Sequence, residues 1–248
     1  MTGSGDGLDV DEEVDRLGRV AEDYDLSDSR REFDYRLKRF EAQAIRSWLS
    51  GERVLEMGCA TGELAALLIG HCVRYEVVEG AQRYLDAIQR RLPEVTTHLA
   101  LWEEFEPDGG YTDILLNCGL EHVLDPVGVL TRAAGWLSPR GRLHVMVPNA
   151  DSLHRYVGVS MGILESRTSL SDADRRIGHR RVYDLDTLVA DVRAAGLTVQ
   201  HWQGIFLKLL SNQQMLDWPD ELVAAMHDVG RRWPVNCAEL YVVATREA

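Results

Sequence analysis

The sequence predicts an α/β fold in which a seven-stranded, mostly parallel sheet carries helices on both faces. Three observations support this prediction. Apolar segments of strand length occur seven times, helical patterns alternate with the first five of them, and the segments are continuous apolar runs, as in strands buried on both faces. The predicted strands are residues 53–58, 75–80, 96–101, 112–119, 142–148, 198–206 and 238–245.

The N-terminal region is predicted to contain a tail and a helical cap. Residues 1–20 are acidic and rich in glycine, which is typical of a flexible segment. We expect residues 21–248 to form one domain, of which 21–50 are the cap. An amphipathic helix is predicted there, over about 29–49, because apolar side chains recur every three or four positions: Phe33, Leu37, Phe40, Ala44 and Trp48.

Four further helices are predicted between the strands, over residues 63–69, 81–91, 126–137 and 183–197. Pro126 opens one of them, where the missing N–H has no intrahelical partner to lose, and Gly196 is a typical helix cap. The last two strands are joined by a connection of medium length, which suits an antiparallel pair at one edge of the sheet. Residues 151–181 and 208–234, the second rich in Trp and Met, are interpreted as insertions that build a substrate pocket.

Composition excludes several classes of protein. The 248 residues carry a formal net charge of −13, which disfavours a nucleic-acid partner, since binding to a phosphate backbone normally needs a basic surface. No apolar run is long enough to span a membrane, and the N-terminus lacks the pattern of a signal peptide. The scattered cysteines indicate reduced thiols in a cytoplasmic protein: they are Cys59, Cys72, Cys118 and Cys237.

The turn after the first predicted strand, "EMGCATGE", is the strongest functional signal. A phosphate-binding P-loop is excluded, because no Lys and Ser or Thr follow Gly62. A dinucleotide-binding turn needs glycine at the first, third and sixth places, which here hold Gly58, Ala60 and Glu63. Glu63 would place a carboxylate where a pyrophosphate should accept backbone hydrogen bonds, and the two anions would repel each other.

The segment "EMGCATG" resembles the first motif of the class I S-adenosylmethionine-dependent methyltransferases, acid-x-Gly-x-Gly-x-Gly, with Ala60 in place of the middle glycine. Their cofactor is cationic and has no phosphate, so an acidic strand end and an acidic first turn are compatible with it. The resemblance implies a Rossmann-like fold and S-adenosyl-L-methionine as cofactor. It also implies that the loop passes under the methionine part of that cofactor: its residues are Glu56, Gly58, Cys59, Ala60 and Gly62.

The ends of the second and third predicted strands are the next candidates. Glu79 lies about 20 residues past the first glycine, the spacing at which nucleotide-binding folds place an acid that accepts from both ribose hydroxyls. The resemblance gives Glu79 this same role. After the third strand, where these enzymes often place an Asp against the adenine, the chain has Leu101 and Trp102, followed by Glu103. Trp102 either stacks on the adenine or packs in the core.

Later segments extend the resemblance over about residues 54–196. They are "NCGLEHVLDPVGVL", "LSPRGRLHVMVPN" and "GHRRVYDLDTLVADVRAAGL". The first of them implies that Cys118 lies near the cofactor. In similar enzymes an N-terminal element closes over the cofactor and meets its carboxylate, which makes Arg36 a candidate on the predicted cap helix.

Methyl transfer from a sulfonium requires an aligned nucleophile and, for some acceptors, a general base. His122 and His179 are the candidate bases, because an unperturbed imidazole titrates near neutral pH. Two plainer interpretations stay open: His122 hydrogen-bonds a backbone carbonyl, and His179 belongs to a surface loop. We expect no metal, since the sequence has no His-x-x-x-His, no cysteine cluster and no clear carboxylate triad.

These observations predict methyl transfer from S-adenosylmethionine to an O or N nucleophile of a small organic acceptor. An excess of Arg over Lys hints at a bacterium with a GC-rich genome, where specialised metabolism is a plausible setting. The alternatives are a non-catalytic methyltransferase-like binding subunit, a methyltransferase that acts on a peptide, and a nucleotide-dependent oxidoreductase, which Glu63 disfavours. A homodimer is left open.

Overall fold

A computed structural model describes residues 10–23 and 32–247 and contains one seven-stranded sheet. The strands follow the order β3-β2-β1-β4-β5-β7-β6. They are β1 (Arg53–Met57), β2 (Arg74–Glu79), β3 (Thr96–Leu99), β4 (Tyr111–Asn117), β5 (Leu137–Pro148), β6 (Leu197–Ile205) and β7 (Glu239–Arg246). The fold class predicted from the sequence is confirmed.

The strand order reverses between β1 and β4. β2 and β3 add to one side of β1, whereas β4 and β5 add to the other, and all five run parallel. In an open α/β sheet, ligands bind outside the carboxyl ends of the strands at such a reversal. The topology therefore directs attention to the turns that follow β1, β2 and β4.

The last two strands form the antiparallel edge. β7 inserts between β5 and β6 and runs antiparallel to both, so that β6 occupies the edge of the sheet. Because β6 and β7 are neighbours that run antiparallel, their connection does not need the crossover that joins parallel strands.

Helices cover both faces, as predicted. They are α1 (Val10–Asp23), α2 (Asp34–Arg46), α3 (Glu63–Leu68), α4 (Gln82–Arg91), α5 (Pro126–Trp136), α6 (Leu153–Ser160), α7 (Asp172–Arg176), α8 (Leu185–Ala194), α9 (Asn212–Met215) and α10 (Asp220–Gly230), with 3₁₀ turns at Ile69–His71 and Pro234–Asn236. None of the described helices has the length and apolarity needed to cross a bilayer.

Side-chain alternation divides the core into two apolar clusters. Val54 of β1 packs on one face with helices α2, α3 and α4, whereas its neighbour Leu55 packs on the other face with α5 and α8. Leu115 and Leu116 of β4 divide in the same way. This period of two places hydrophobic side chains on both faces, which is why the strands read as continuous apolar runs.

The predicted N-terminal tail is wrong for residues 10–20, while residues 1–9 lie outside the described part. Residues 10–20 belong to α1, which packs against α4. Ala21 near the end of α1 is 1% exposed, and a Cβ added at Gly80 would come within 2.6 Å of Leu17 Cδ1. Among its acidic residues, α1 carries an apolar stripe at helical spacing, formed by Val10, Val14, Leu17 and Ala21. Of the predicted cap helix, 34–46 are confirmed as α2, and 29–31 lie outside the described residues.

Candidate functional site

A cavity of about 1000 Å³ opens at the carboxyl ends of β1, β2, β4 and β5. Helices α1, α2, α6 and α7 contribute side chains to its walls, so that the cap and the 151–181 insertion lie over the strand ends. Most of the predicted site residues line it: Glu56, Gly58, Cys59, Ala60, Glu79, Leu101, Trp102, Cys118, His122 and His179.

The glycine turn contains three residues with positive φ angles, which glycine adopts more readily than other residues. Gly58 and Gly62 have φ values of 78° and 81°, and Ala60 between them has a φ of 43°. A Cβ at Gly62 would come within 3.1 Å of Ile88 Cγ1, so this glycine allows α3 to pack on α4. Gly62 shapes the turn but is not among the residues that line the cavity. These three left-handed positions, at every second residue, reverse the chain and bring the backbone of the turn to the cavity.

Glu79, at the end of β2, is bonded to the glycine turn. Its Oε2 accepts from the Cys59 N–H at 3.2 Å and its Oε1 accepts from the Ala81 N–H at 2.9 Å. Burial raises the pKa of Glu79, while these backbone hydrogen bonds act in the opposite direction. Each carboxylate oxygen has a second lone pair, so the side chain can still accept from a ligand hydroxyl.

Glu56, at the end of β1, is fully buried. Its Oε2 accepts a hydrogen bond from the Tyr75 hydroxyl at 2.9 Å. Burial raises the pKa of Glu56 to about 8, although Tyr75 and Lys38 oppose this shift. A cationic ligand in the cavity would therefore meet a carboxyl group that it can help to ionise.

Trp102 lies between two turns of the site. A Cβ at Gly58 would come within 2.8 Å of Trp102 Cζ2, and one at Gly119 within 2.3 Å of Trp102 Cη2. The indole packs against the apolar cluster of α5 and α8 and also lines the cavity, while its stacking on an adenine stays a prediction. Leu101 is buried at the cavity wall, and Glu103 also reaches the cavity.

Glu63 occupies the start of α3, as the argument against a pyrophosphate requires. It is buried and forms an ion pair with Arg91 of α4, and the Thr61 hydroxyl donates to it. The ion pair compensates the charge of Glu63, but its carboxylate still occupies the helix N-terminus. A phosphate would have to displace it.

Arg36 does not lie at the cavity. Its guanidinium donates to Asp220 Oδ1 at 2.6 Å and to the Leu216 carbonyl at 3.3 Å, which ties α2 to the start of α10. The prediction that Arg36 contacts the cofactor is therefore wrong for this structure. Helical geometry explains it: α2 instead turns three other side chains toward the cavity, those of Asp34, Leu37 and Lys38.

A buried polar cluster next to Lys38 was not predicted. Lys38 Nζ lies 2.8 Å from Glu41 Oε2, and Asn117 Nδ2 donates to the same oxygen at 2.7 Å. Glu239, at the start of β7, is also buried beside them, and its pKa is raised by burial and by Glu41. These residues lie far apart in the sequence, so only the packing of α2 on the sheet brings them together.

The two predicted histidines meet at one glutamate. The rings of His122 and His179 lie edge to face, with centroids 4.7 Å apart. Glu121 Oε1 is 3.7 Å from His179 Nε2 and 4.0 Å from His122 Nε2. Neither histidine is an exposed surface residue, so the surface-loop interpretation of His179 is wrong.

The surroundings shift the pKa values of His122, His179 and Glu121 in different directions. Burial and the neighbouring His179 lower the pKa of His122 to about 3, so His122 is neutral. Burial would also lower the pKa of His179, but Asp174 and Glu121 outweigh it and the net pKa is raised. Burial raises the pKa of Glu121 to about 7.

Asp174 of α7 was missed by the sequence reasoning. Its Oδ1 lies 3.2 Å from His179 Nδ1, the distance of an ion pair when the imidazole is protonated. Its Oδ2 accepts from the Ser171 N–H at 2.8 Å and from the Ser171 hydroxyl at 2.7 Å in a capping box. The Ser-x-x-Asp pattern at 171–174 was the available signal, and it predicted a helix start rather than a site.

Two arginines hold the histidine loops together. The Arg180 N–H donates to the Glu121 carbonyl at 2.9 Å, and Arg180 Nε donates to the His122 carbonyl at 2.8 Å. Arg181 Nη1 donates to the carbonyls of Leu120 and Val123. These bonds join the loop after β4 to the segment after α7, so the cluster rests on two connected backbones.

The insertions line the cavity with only part of their length. In 151–181, the segment between α6 and α7 contributes apolar side chains such as Met161 and Ile163. In 208–234, the lining ends at Leu216. The Trp- and Met-rich remainder lies elsewhere, because Trp218 and Met226 pack against the apolar core and Trp233 is exposed. The prediction of a pocket is therefore too broad for residues 217–234.

The fold and this site together define the class. A Rossmann-like sheet, a glycine turn at its point of reversal and acids rather than phosphate-binding groups around that turn are the features of class I S-adenosylmethionine-dependent methyltransferases. The chain matches the family described as methyltransferase domain over residues 24–201 and belongs to that family. The predicted family and its cofactor, S-adenosylmethionine, are confirmed.

Known relatives agree with this assignment. Uncharacterized methyltransferases of Mycobacterium bovis and Mycobacterium tuberculosis are 30% identical over 99 residues, which is 39% of this chain and only 41% of those proteins. An S-adenosylmethionine-dependent methyltransferase of Mesorhizobium loti has a TM-score of 0.60 at 15% identity, covering 82% of this chain and 96% of its own. The glycopeptide N-methyltransferase MtfA, in complex with S-adenosylhomocysteine, has a TM-score of 0.56 at 13% identity, with 84% and 86% covered.

Proposed function

We propose that this protein transfers a methyl group from S-adenosylmethionine to an O or N nucleophile of a small organic acceptor. The observation that carries the proposal is one continuous cavity of about 1000 Å³ with chemically different ends. The glycine turn and Glu79 belong to its lining, and so do Glu121 and the two histidines. The first group is proposed to face the cofactor and the second the acceptor, and we call them the cofactor end and the acceptor end. A pocket of this size accommodates a nucleoside cofactor beside a small acceptor.

At the cofactor end, the proposed roles follow from the contacts of each residue. Glu79 accepts from the ribose hydroxyls with its remaining lone pairs, and Trp102 offers an indole face to the adenine. The carboxyl group of Glu56 stabilises the positive charge of the ligand. The turn backbone is bordered by Cys59, Leu101 and Cys118, which complete the wall. The bound cofactor supplies an activated methyl group.

At the acceptor end, His122 and His179 are proposed to face the nucleophile. Apolar side chains of the 151–181 insertion, including Met161 and Leu164, border the same space and can exclude water from it. Because the methyl donor is already activated, alignment is the main task of the protein. Positioning alone can contribute on the order of 7–11 kcal/mol in favourable cases.

The alternatives differ in what the cavity does. A non-catalytic binding subunit would need no open cofactor end, whereas the glycine turn and Glu79 are intact here. A peptide acceptor would compete with a small molecule for the same cavity. The proposed cytoplasmic location and the setting in bacterial specialised metabolism rest on composition alone.

The test combines binding with transfer. Calorimetric titration with S-adenosylhomocysteine measures the cofactor end, and mass spectrometry then detects methyl transfer to a panel of amines, phenols, catechols and peptides. We expect binding and transfer to at least one small acceptor, both lost in Glu79→Ala. Absence of binding to protein stripped of cofactor overturns the proposal. Transfer to peptides alone favours the peptide alternative.

A further inference from the structure

Glu121 is a buried carboxylate without a hydrogen bond. It is 1% exposed, lines the cavity, and neither of its oxygens has a hydrogen-bond partner among the described residues. The imidazole nitrogens of His179 and His122 lie 3.7 and 4.0 Å from its Oε1, too far for hydrogen bonds. A buried polar group without a partner is unfavourable, which points to a ligand between these side chains.

The three side chains have the composition and spacing of a metal site. One oxygen of Glu121 and one nitrogen each of His122 and His179 all lie within 4.8 Å of one another. Metal–N and metal–O bonds of about 2.0–2.2 Å place neighbouring ligand atoms roughly 3–3.5 Å apart. Shifts of less than about 1 Å would therefore bring all three onto one ion.

Each imidazole ring also contacts a second group of the protein. His179 Nδ1 faces Asp174, whose other oxygen is fixed by Ser171, so that Nε2 faces Glu121. A hydrogen bond to the Gly178 backbone engages the ring of His122, whose Nε2 faces the same carboxylate. Metal-bound histidines typically have such a second partner, which fixes the tautomer and the ring orientation.

We infer that Glu121, His122 and His179 bind one divalent first-row transition-metal ion, with Asp174 as the positioning residue. Two imidazoles and one carboxylate suit zinc, iron, cobalt or manganese, and leave coordination positions open. Because all three side chains line the cavity, a molecule bound there would be able to reach the open positions. Resting on the proposed function, this assigns the acceptor to molecules with two adjacent oxygen donors, such as catechols, that can chelate the ion.

This site differs from the sequence-based expectation of no metal. The pair Glu121–His122 is visible in the sequence, but the third ligand follows in another segment, and the arginine bonds between the two loops bring it there. The local sequence spacing therefore does not predict that Glu121, His122 and His179 form one site.

The experiment uses the full chain, treated with EDTA and then titrated with Co²⁺. We expect one equivalent to bind, with visible d–d absorption, and Zn²⁺ to displace it. Glu121→Gln and His179→Gln should abolish this absorption. Asp174→Asn should weaken the affinity by about 10–100-fold. His154→Gln, which removes another imidazole from the same cavity, should leave uptake unchanged.

Melting temperature and S-adenosylhomocysteine binding are measured for each variant, and His122→Gln replaces any that fails to fold. If protein that binds S-adenosylhomocysteine takes up none of Co²⁺, Zn²⁺ or Mn²⁺, or if Glu121→Gln leaves uptake unchanged, the metal site is overturned and the proposed function is not. Metal uptake without cofactor binding would overturn the proposed function and would not overturn the metal site. Catechol, but not phenol, should alter the Co²⁺ spectrum, and an unaltered spectrum overturns the acceptor assignment.

Discussion

Glu79 and Cys59 are joined by a hydrogen bond across the cofactor end of the cavity, from the Cys59 N–H to Glu79 Oε2 at 3.2 Å. The acid at the end of β2 thus holds the turn that follows β1. The same carboxylate also accepts from the Ala81 N–H at 2.9 Å, at the start of α4. The Glu79 side chain therefore joins the end of β2 to the glycine turn and to the start of α4. It still presents lone pairs to the cavity.

Replacing Glu79 with Ala should weaken S-adenosylhomocysteine binding at least tenfold, or about 1.4 kcal/mol. The substitution removes the acceptor for the ribose and the hydrogen bonds that fix the turn. Calorimetry measures the affinity, and Glu94→Ala, at an exposed glutamate, is the control. Equal affinity in Glu79→Ala and the wild type would show that Glu79 does not contact the cofactor.

Gly119→Ala should destabilise the protein by about 1–3 kcal/mol, because its new Cβ would lie within 2.3 Å of Trp102 Cη2. Trp102→Phe removes the atoms that clash and should recover part of this loss. Urea unfolding of the two single variants and the double variant forms a double-mutant cycle. Strict additivity would contradict the close approach of these residues.

Ala60→Gly should raise stability by roughly 1 kcal/mol, because Ala60 has a φ of 43° that glycine adopts without strain. Ala66→Gly is the matched control. Ala66 lies within α3, where glycine should lower stability by up to about 1 kcal/mol. Thermal unfolding compares the two. A melting temperature lowered equally by both substitutions would be inconsistent with strain at position 60.

Stability of the cofactor-free protein should fall between pH 4.5 and about 8 because of Glu56. Burial raises the pKa of this carboxyl group from 4.5 to about 8, so in that window the folded state holds a proton that the unfolded state has lost. The contribution is at most about 1.4 kcal/mol per pH unit.

Glu56→Gln should remove this dependence, because glutamine has no ionisable carboxyl group. Its side-chain oxygen can still accept the hydrogen bond from Tyr75. Urea unfolding at pH 5, 6, 7 and 8 should give similar stabilities for variant and wild type at pH 5. At pH 8 the variant should be more stable. Parallel pH profiles would show that Glu56 is ionised in the folded state.

The cofactor end of the cavity was predictable because its signals are local. Gly58, Ala60 and Gly62 form one turn, and Glu79 ends the next strand at a spacing set by one βα unit. Parallel strands bring their carboxyl ends to one edge, so sequence order translates directly into proximity there. Gly58, Ala60 and Glu79 line the same cavity, whereas Gly62 shapes the turn from outside the cavity wall.

Other parts depended on faces of helices and on contacts between distant segments. The sequence predicts the helix that carries Arg36 but not the face on which this side chain lies. In α1, acidic residues outnumber the apolar residues of its buried stripe, so the composition resembles that of a tail. The Trp and Met residues of 208–234 were assigned to a pocket, although Met215 is in the core. Residue type alone does not distinguish a pocket wall from a core.

The sequence by itself determined the sheet, its helices, the glycine turn and the family to which the chain belongs. These follow from side-chain periodicity and from backbone angles that few residues adopt, both of which are local properties. Only the tertiary structure decided which side chains meet at the acceptor end. Glu121, His179 and Asp174 come from separate segments, and the packing of the insertion and its arginine bonds set their distances, burial and charge.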